Sequence, residues 1–474
     1  MRLKKNRLWV PVLSACLLLL GGCAKPKAGS DLEVFQSTPE IVTPTPRPTA
    51  VPTVDIGGTD VRADVTELDL TKLEFLPEAL WENARDLPLV ERIDLGQIAL
   101  EDWQLERIRE AFPNAQLHWA TELFGTVYPS DTTHLDLSDL TAERLPEAVR
   151  ALTRLPAVTL VELLPETGLT VLTPQEVDQL RAVRPEAEFH CCWELYGQLA
   201  GWNTRELRYS KAKIGNDGIE KFRGVLPYLY SLELLRLYNC GITNYDAMAE
   251  LKQTYPEKNV VWSVEIAGYN FMTDTILFHC PLLRDHHTDK LKYLTDVIYL
   301  DIGHNRYITN VDFIKYLPKL QVVILSITKI TDISPLTNCP DLEFVELLNT
   351  YVEDLSPLAE LKKVEYLNIG DMPFVRDISP VYGMKSLKMV RICLRTYDHV
   401  KREQVEELKA ALPDCFVSDG PGDPSTSGYW RFKDKNHTYT ERYALLREQM
   451  LYDIPTWQDR QQNSPTRLEG DRER

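Results

Sequence analysis

The sequence predicts an α/β solenoid in which parallel strands line the concave face and helices and 3₁₀ turns form the convex face. Three observations predict this class: apolar strings recur every 22 or 23 residues in the C-terminal half, a motif recurs every 71 or 72 residues in the N-terminal half, and each copy of that motif follows a helical pattern. Stacked units of this length bury a continuous core that no single unit can bury alone.

The first residues have the composition of an export signal. Four basic side chains precede the apolar run 8–20, which ends in Leu20-Gly21-Gly22-Cys23. The run is too short for a secure membrane span, which favours its removal. The Leu-Gly-Gly-Cys string resembles the bacterial lipobox, and the resemblance implies that residues 1–22 are a lipoprotein signal peptide and that Cys23 carries a lipid anchor at the outer face of the cell membrane. An ordinary signal peptide with an incidental Cys23 is the alternative.

Residues 23–57 are rich in proline and threonine, as in the stretch 43–49. Such a composition cannot bury a core and favours extended, polyproline-like conformers. We therefore predict a disordered stalk between the anchor and the folded part.

The short period lies within residues 290–395. Five strings start at positions 297, 320, 342, 364 and 387, and each has apolar residues at its first, fourth and sixth positions. Between strings, Asp-x-Ser-Pro begins at Asp332, Asp354 and Asp377. Proline prevents a long helix there, so each return on the convex side is predicted to be a short 3₁₀ turn.

These strings are spaced as leucine-rich repeats are, and they resemble the 22-residue repeats of internalins and related bacterial surface proteins. The resemblance implies a leucine-rich repeat solenoid used for binding. One departure concerns the asparagine that satisfies backbone groups at each bend: Asn305 keeps it, whereas Thr328, Thr350 and Met372 replace it. Threonine is expected to serve in part, and methionine cannot.

The long period occupies residues 58–289. The segment 113–125 aligns without gaps to 185–197 and 256–268, and each copy follows a helix with two buried-type apolar residues. One unit holds three strand-like strings, at 135–137, 158–160 and 189–191, which is again leucine-rich repeat spacing. Val405, Leu408 and Pro413 repeat the helical offsets downstream, so residues 396–456 are predicted to hold a final repeat and an aromatic C-terminal cap. The polar residues 457–474 are predicted to be disordered.

The concave face of the short repeats is the predicted partner-binding surface. Side chains on a strand alternate between the core and the concave face, so the positions between core residues form columns across the repeats. One column is apolar and aromatic and the next is mostly polar, and an exposed stripe of this kind marks an interaction site. The predicted partner-binding residues are Tyr299, Val322, Phe344, Tyr366 and Met389 in the first column, and Asp301, Ile324, Glu346, Asn368 and Arg391 in the second.

Two other interpretations of the same stripe stay open at this point. Strand propensity alone favours Tyr, Phe and Val on a strand, and the C-terminal tail can fold back over the face. If the stripe binds a partner, replacing Phe344 and Tyr366 together with serine is expected to abolish partner capture and leave the melting temperature nearly unchanged.

Charge and cysteine usage narrow the function classes. The formal charge of −17 disfavours binding to nucleic acid or anionic lipid. The seven cysteines after Cys23 are odd in number and lack CxxC spacing, so buried free thiols are expected rather than a disulfide framework or a zinc site.

No sequence feature predicts catalysis. The chain lacks GxSxG, HExxH, P-loop and GxGxxG motifs, so we predict no catalytic residue and no cofactor. His279, His286, His287 and Asp289 form a histidine-rich cluster, but adjacent histidines in a polar loop do not predict a metal site. His118 and His190 occupy one position in two repeat copies, where the third copy has valine, which favours a structural role.

Two hypotheses for the function follow. The first is a non-enzymatic cell-surface lipoprotein whose concave face holds a protein, or a glycan, from outside the cell. The second is an envelope assembly or sensory lipoprotein that binds a membrane partner of the same cell. The Pro/Thr stalk favours outward reach and so the first.

Overall fold

The computed structural model describes residues 51–98, 100–393 and 399–464. The predicted signal peptide, Cys23 and most of the predicted stalk lie outside the described residues. Within them the chain is an α/β leucine-rich repeat solenoid, as predicted from the repeat spacing. None of the described helices is long and apolar enough to cross a bilayer.

The N-terminal half alternates sets of three parallel strands with antiparallel hairpins. Each set of three strands is the leucine-rich part of one long-period unit. The strands are β1 (Thr53–Ile56), β2 (Thr59–Arg62), β3 (Glu67–Asp69), β4 (Arg92–Asp94), β5 (Gln116–His118), β6 (Ala120–Leu123), β7 (Thr126–Pro129), β8 (His134–Asp136), β9 (Leu160–Glu162), β10 (Glu188–His190), β11 (Cys192–Leu195), β12 (Gln198–Gly201), β13 (Glu206–Ser210), β14 (Leu234–Tyr238), β15 (Val260–Ile266) and β16 (Tyr269–Met272).

The hairpins were not predicted, although the repeated motif contains the residues that form their turns. The motif ends in Phe124-Gly125, Tyr196-Gly197 and Ala267-Gly268, and both residues of each pair have positive φ. Two consecutive positive φ values are the geometry of a type I′ turn, whose twist matches a two-residue hairpin. The motif repeated within this chain therefore marks the last parallel strand of each set together with the hairpin that follows it.

The C-terminal half is one parallel ladder, which we call the concave ladder. Its strands pair in register from β17 to β23, and their inward side chains form a single core with the convex 3₁₀ turns. Leu325, Leu347 and Ile369 are buried in that core, as predicted. The strands are β17 (Leu277–His279), β18 (Tyr299–Asp301), β19 (Val322–Ile324), β20 (Phe344–Glu346), β21 (Tyr366–Asn368), β22 (Met389–Arg391) and β23 (Phe416–Ser418).

The predicted 3₁₀ returns are confirmed. They span Asp312–Tyr316, Ser334–Asn338, Ser356–Glu360 and Ser379–Gly383. In each Asp-x-Ser-Pro string the aspartate accepts hydrogen bonds from the serine N–H and hydroxyl, which starts the turn at the same place in these three repeats.

The helices that precede the long-period motif are also confirmed, and each buries its two predicted apolar residues. Thr173 starts one of them with a capping box: its hydroxyl accepts from the Glu176 N–H while the Glu176 carboxylate accepts from the Thr173 N–H. The helices are α1 (Ala79–Glu82), α2 (Asp102–Ala111), α3 (Leu145–Thr153), α4 (Pro174–Val183), α5 (Asp217–Val225), α6 (Tyr245–Thr254), α7 (Asp285–Thr288), α8 (Arg402–Ala411), α9 (Glu441–Gln449) and α10 (Trp457–Gln462).

The bends of the short repeats are satisfied differently from one repeat to the next. Asn305 accepts from the Leu283 N–H and donates to three carbonyls, and the Thr328 hydroxyl donates to one. The Thr350 hydroxyl is buried without a hydrogen-bond partner among the described residues. Met372 is buried in the core, where an apolar side chain fills the bend.

Three predicted boundaries are wrong. Strand β1 lies within the predicted stalk and pairs with β2, because Val54 and Ile56 pack in the N-terminal core. Helix α10 lies within the predicted disordered tail, because its side chains reach the edge of the concave ladder. The middle strand predicted at 158–160 is observed at 160–162, since Val161 and Leu163 take the core positions.

Candidate binding surface

The two predicted columns of the concave ladder exist in the predicted register. Phe344 is paired with Val322 on one side and Tyr366 on the other, and Glu346 is likewise flanked by Ile324 and Asn368. The outer strands extend the apolar column with Leu277 and Phe416 and the polar column with His279 and Ser418. Column side chains therefore stack across the whole ladder.

The ladder does not present these columns to solvent, because the chain itself covers them. After β23 the chain turns back, and its C-terminal segment, residues 419–464, crosses the concave face from the last strand to the first. Pro424 contacts β21, Trp430 contacts β20, Tyr452 contacts β18 and Gln461 contacts β17. The interpretation in which the tail folds back is confirmed, and the expectation of an exposed stripe is wrong.

The apolar column and the C-terminal segment form a second hydrophobic core. Phe344, only 1% exposed, packs against the Trp430 ring at 5.2 Å between centroids, and the Arg442 guanidinium lies 4.9 Å from its ring centroid. Helix α9 adds its apolar side to this core. Burial of aromatic rings with a cation over one face is a strongly stabilising arrangement. The residues involved are Tyr443 and Leu446 of α9 and Met450, which directly follows the helix.

The polar column supplies specific hydrogen bonds to the same segment. The Trp430 Nε1–H donates to Glu346 Oε2 at 2.7 Å, and Asn368 Nδ2 donates to the Pro424 carbonyl at 3.1 Å. Arg391 is fully buried and donates to the Gly420 carbonyl at 2.9 Å and to the Ser427 hydroxyl at 3.0 Å. Buried polar groups need such partners, so this column matches one particular segment of polypeptide.

Asp301 anchors the far end of the segment. Its carboxylate lies 2.8 Å from His279 Nδ1 and accepts a hydrogen bond from the Tyr452 hydroxyl at 2.5 Å. Burial on its own raises the pKa of Asp301, but the interaction with His279 and the hydrogen bonds from His279, Tyr452 and the Gly303 N–H outweigh it and lower the pKa. Burial and the Asp301 charge raise the pKa of Tyr452, which keeps the hydroxyl as the donor.

All ten predicted partner-binding residues therefore contact or lie beneath the chain's own segment. Tyr299 and Tyr366 keep part of their surface, and a cleft of about 280 Å³ remains over Tyr366, Met389 and Arg442. The predicted residues are covered because a wide apolar column is costly to leave in water, and the aromatic C-terminal segment is tethered close enough to cover it. The buried members are Val322, Phe344, Met389, Asp301, Ile324, Glu346, Asn368 and Arg391.

Replacing Glu346 with glutamine is expected to stabilise the protein at neutral pH. Burial raises the pKa of Glu346, against the hydrogen bonds from Trp430 and Ser326. Since the folded-state pKa lies above the ordinary glutamate value of 4.5, the stability linked to this group is fully present below that value and is lost as the pH rises through the folded pKa. Glutamine keeps an oxygen for Trp430 Nε1–H and a donor for the Ser326 hydroxyl, without the charge.

The measurement is the urea midpoint of both proteins between about pH 4.5 and 8. The E346Q advantage should be largest at the alkaline end and shrink on acidification. Glu343 lies exposed on the same repeat, so E343Q is the matched control and should follow the parent. A constant difference between E346Q and the parent at every pH would contradict the assignment.

In the N-terminal half the concave face is open. In its first two strand sets, β3 to β5 and β8 to β10, the strand residues between core positions are exposed or half-buried, and more than half of them are charged. Asp69 and Asp94 are neighbours in one strand set, and Asp136 and Glu162 are neighbours in the next. We call these four carboxylates the acidic face.

Each carboxylate of the acidic face also closes the bend after its strand. One oxygen accepts from the backbone N–H two residues later, at 3.0 to 3.2 Å, in Asp69, Asp94, Asp136 and Glu162 alike. Hydrogen bonds from the Thr71 hydroxyl and N–H lower the pKa of Asp69, and hydrogen bonds from the Ser138 N–H and hydroxyl lower the pKa of Asp136. The sequence carries this signal as an acidic residue between two apolar ones in each of these four strands, and the signal was not part of the prediction.

The histidines noted in the sequence make contacts that stabilise the fold. His190 stacks on Trp202 at 3.9 Å between ring centroids, and its Nδ1 lies 3.2 Å from Glu162 Oε2. His287 Nδ1 accepts from the Arg284 N–H at the start of α7. Within the described part of the chain, no three His, Cys, Asp or Glu side chains are placed to hold a metal ion.

The seven cysteines of the folded part are free thiols. Five are buried, as predicted, and Cys192 and Cys415 are half-buried. Burial raises the pKa of the Cys339 thiol to about 12 and of the Cys280 thiol to about 11, so these sulfurs stay protonated and unreactive.

Comparison with known proteins agrees with the repeat assignment. The family model for leucine-rich repeats in two copies matches residues 318–360. Comparison with curated protein sequences gives no match. The leucine-rich repeat fold is shown by the parallel ladder together with the family match.

Several solved structures are similar in part. An internalin C2 of Listeria monocytogenes is 19% identical, covers 60% of this chain and 88% of its own, and has a TM-score of 0.25. A second Listeria monocytogenes internalin is 14% identical, with coverages of 79% and 88% and a TM-score of 0.24. A leucine-rich repeat protein of Leptospira interrogans is 16% identical, with coverages of 75% and 96% and a TM-score of 0.26.

Proposed function

We propose that this chain is an exported, lipid-anchored surface protein that binds a protein partner on the open acidic face and catalyses no reaction. The observation that carries the proposal is the division of the concave surface. The concave ladder is occupied by the chain's own segment through matched apolar and polar contacts, whereas the acidic face presents carboxylates to solvent on a rigid ladder. A curved solenoid with an open charged face is suited to grip a macromolecule.

The charge of the acidic face selects the partner's chemistry. Four carboxylates in adjacent strand sets attract a basic protein surface, and they repel nucleic acid and anionic lipid. A partner from outside the cell fits the first hypothesis, and a membrane protein of the same cell fits the second. The predicted stalk supports the first, because it lifts the acidic face away from the anchor.

The test neutralises the face without breaking its bends. Substitution of Asp69, Asp94 and Asp136 with Asn and of Glu162 with Gln keeps the oxygen that accepts the backbone N–H. The full-length chain and this variant are used as baits against the cell's own envelope and, separately, against outside material. We expect a protein that the native chain retains at low salt and that the variant loses.

The matched control makes the same chemical change on the convex face. Asp332, Asp354 and Asp377 accept backbone N–H groups in the same way, so their replacement with Asn removes equal charge per residue elsewhere. A partner lost equally from both variants, or retained by both, would count against the acidic face. Capture from the cell's own envelope alone would favour the assembly or sensory role.

The lipid anchor is tested at Cys23. C23S is expected to abolish labelling with a fatty acid and to release the protein from the membrane fraction, because the acyl chains supply about 0.8 kcal/mol per buried CH₂. Mass spectrometry of the mature N-terminus checks the site, and a serine substitution at Cys16 is the control. Fatty-acid labelling that persists in C23S would rule out this residue as the anchor.

A further inference from the structure

A cavity of about 330 Å³ lies where the C-terminal segment ends against the third strand set. Strands β14 and β16 form its floor and helix α10 forms one wall. The volume is in the range of small-molecule sites and has room for roughly one or two pyranose rings. None of the four carboxylates of the acidic face lines it.

Aromatic rings line this cavity and remain partly in solvent. Tyr238 and Tyr269 are 36% and 37% exposed, and Trp457 is half-buried. Tyr269 and Trp457 meet edge to face at 4.6 Å between ring centroids, so strand and helix hold each other's rings in place. Fixed, accessible aromatic rings with a polar edge suit a ligand that has both apolar C–H faces and polar groups.

The polar lining is almost entirely neutral. Asn270, Gln458 and Gln462 contribute amides, which both donate and accept hydrogen bonds. Gln461 is held in place by its Nε2 donating to the Leu277 carbonyl at 3.0 Å. The described residues that line the cavity include no carboxylate, so the lining offers nothing that selects a cationic ligand.

Arg236 contributes the one positive charge among the described lining residues, and that charge is already matched. Its Nη1 donates to Asp274 Oδ2 at 2.9 Å, and Asp274 is fully buried. A ligand carboxylate would have to compete with Asp274 for the Arg236 guanidinium. A ligand hydroxyl group needs only a hydrogen-bond donor from the cavity lining. The balance of charge therefore favours an uncharged, hydroxyl-rich ligand over an anionic one.

We propose that this cavity binds a neutral saccharide, whose C–H faces lie against Tyr238, Tyr269 and Trp457 while its hydroxyl groups hydrogen-bond to the surrounding amides. This saccharide site is separate from the proposed protein-binding face. The saccharide proposal does not rest on the proposed protein partner.

The test titrates the full-length chain with neutral trisaccharides. Chitotriose, cellotriose and maltotriose are the probes, 3′-sialyllactose is the anionic comparison and trialanine is the peptide comparison. Binding is followed by tryptophan fluorescence and calorimetry. We expect one neutral trisaccharide to bind with a Kd near or below about 1 mM.

The variants locate the site. Y238A is expected to weaken that binding by at least about tenfold, and Y238F, which keeps the ring, to stay within about threefold of the parent. W457A repeats the test from the helix side if Y238A fails to fold. Tyr316 is an exposed tyrosine on the convex side, so Y316A is the matched control and should bind as the parent does.

Three results would overturn the proposal. These are no binding of any neutral trisaccharide at about 10 mM, saccharide binding that Y238A and W457A leave unchanged, and tighter binding of sialyllactose or trialanine than of every neutral probe.

Discussion

Replacing Phe344 with alanine is expected to lower the free energy of unfolding by about 3–5 kcal/mol, the usual loss for a buried phenylalanine. The ring is 1% exposed and contacts Trp430, Tyr366 and the Arg442 guanidinium. Truncation removes apolar burial and opens a void between two rigid layers. Urea unfolding, followed by circular dichroism, measures the loss.

Phe416 is the matched control for this prediction. It occupies the same column one strand beyond Met389, yet it is 51% exposed and its ring meets only Tyr429 among aromatic residues of the described chain. F416A should therefore cost less than about 1 kcal/mol. A small loss for both variants would mean that the C-terminal segment does not rest on the ladder in solution. This prediction reverses the expectation drawn from the sequence, in which serine at Phe344 and Tyr366 leaves stability nearly unchanged.

Replacing Trp430 with alanine is expected to release the C-terminal segment from the concave ladder. Trp430 packs on Phe344, and its Nε1–H satisfies the buried Glu346 carboxylate. The variant loses the ring and also leaves Glu346 without this donor, so a cost of about 3–5 kcal/mol is expected for the closed state. That cost raises the open population at least about a hundredfold.

Limited trypsin digestion measures the open population. Arg442 and Arg447 lie in α9, so cleavage after either requires the helix to leave the ladder and unfold locally. The rate of these two cleavages should rise at least about a hundredfold in W430A. Trp103 is exposed on α2, and W103A is the control that should keep the parent's rate. Equal cleavage rates in W430A and the parent would show that Trp430 does not hold the segment.

These two experiments also bear on how the concave ladder is used. In the closed state its columns serve the chain's own segment, which joins the first and last strands of the ladder. The polar column makes this pairing specific, because each buried side chain needs a particular hydrogen-bond donor or acceptor at its own position along the column. The acidic face is then the concave surface that remains open to a partner, and the neutral cavity lies where the third strand set meets the C-terminal segment.

The sequence by itself determined the repeat architecture, because a repeated strand and return is a local pattern. The strings starting at 297, 320, 342, 364 and 387 contain the observed strands, the Asp-x-Ser-Pro strings became 3₁₀ turns, and the register of both columns was predicted correctly. The helices with Val177 and Leu180 or Met248 and Leu251 were equally predictable. In each case the apolar spacing alone selects which side chains face inward.

Only the tertiary structure decided what covers the concave ladder. The contact between Glu346 and Trp430 joins positions 84 residues apart, and that between Asp301 and Tyr452 joins positions 151 apart. The aromatic C-terminal cap was predicted as a local element, but no periodicity relates its turn and α9 to a strand column. Their docking depends on complementarity of shape, burial and hydrogen bonding between two surfaces that exist only after the solenoid has formed. For that reason the columns were predictable as neighbours, whereas their exposure to solvent was not.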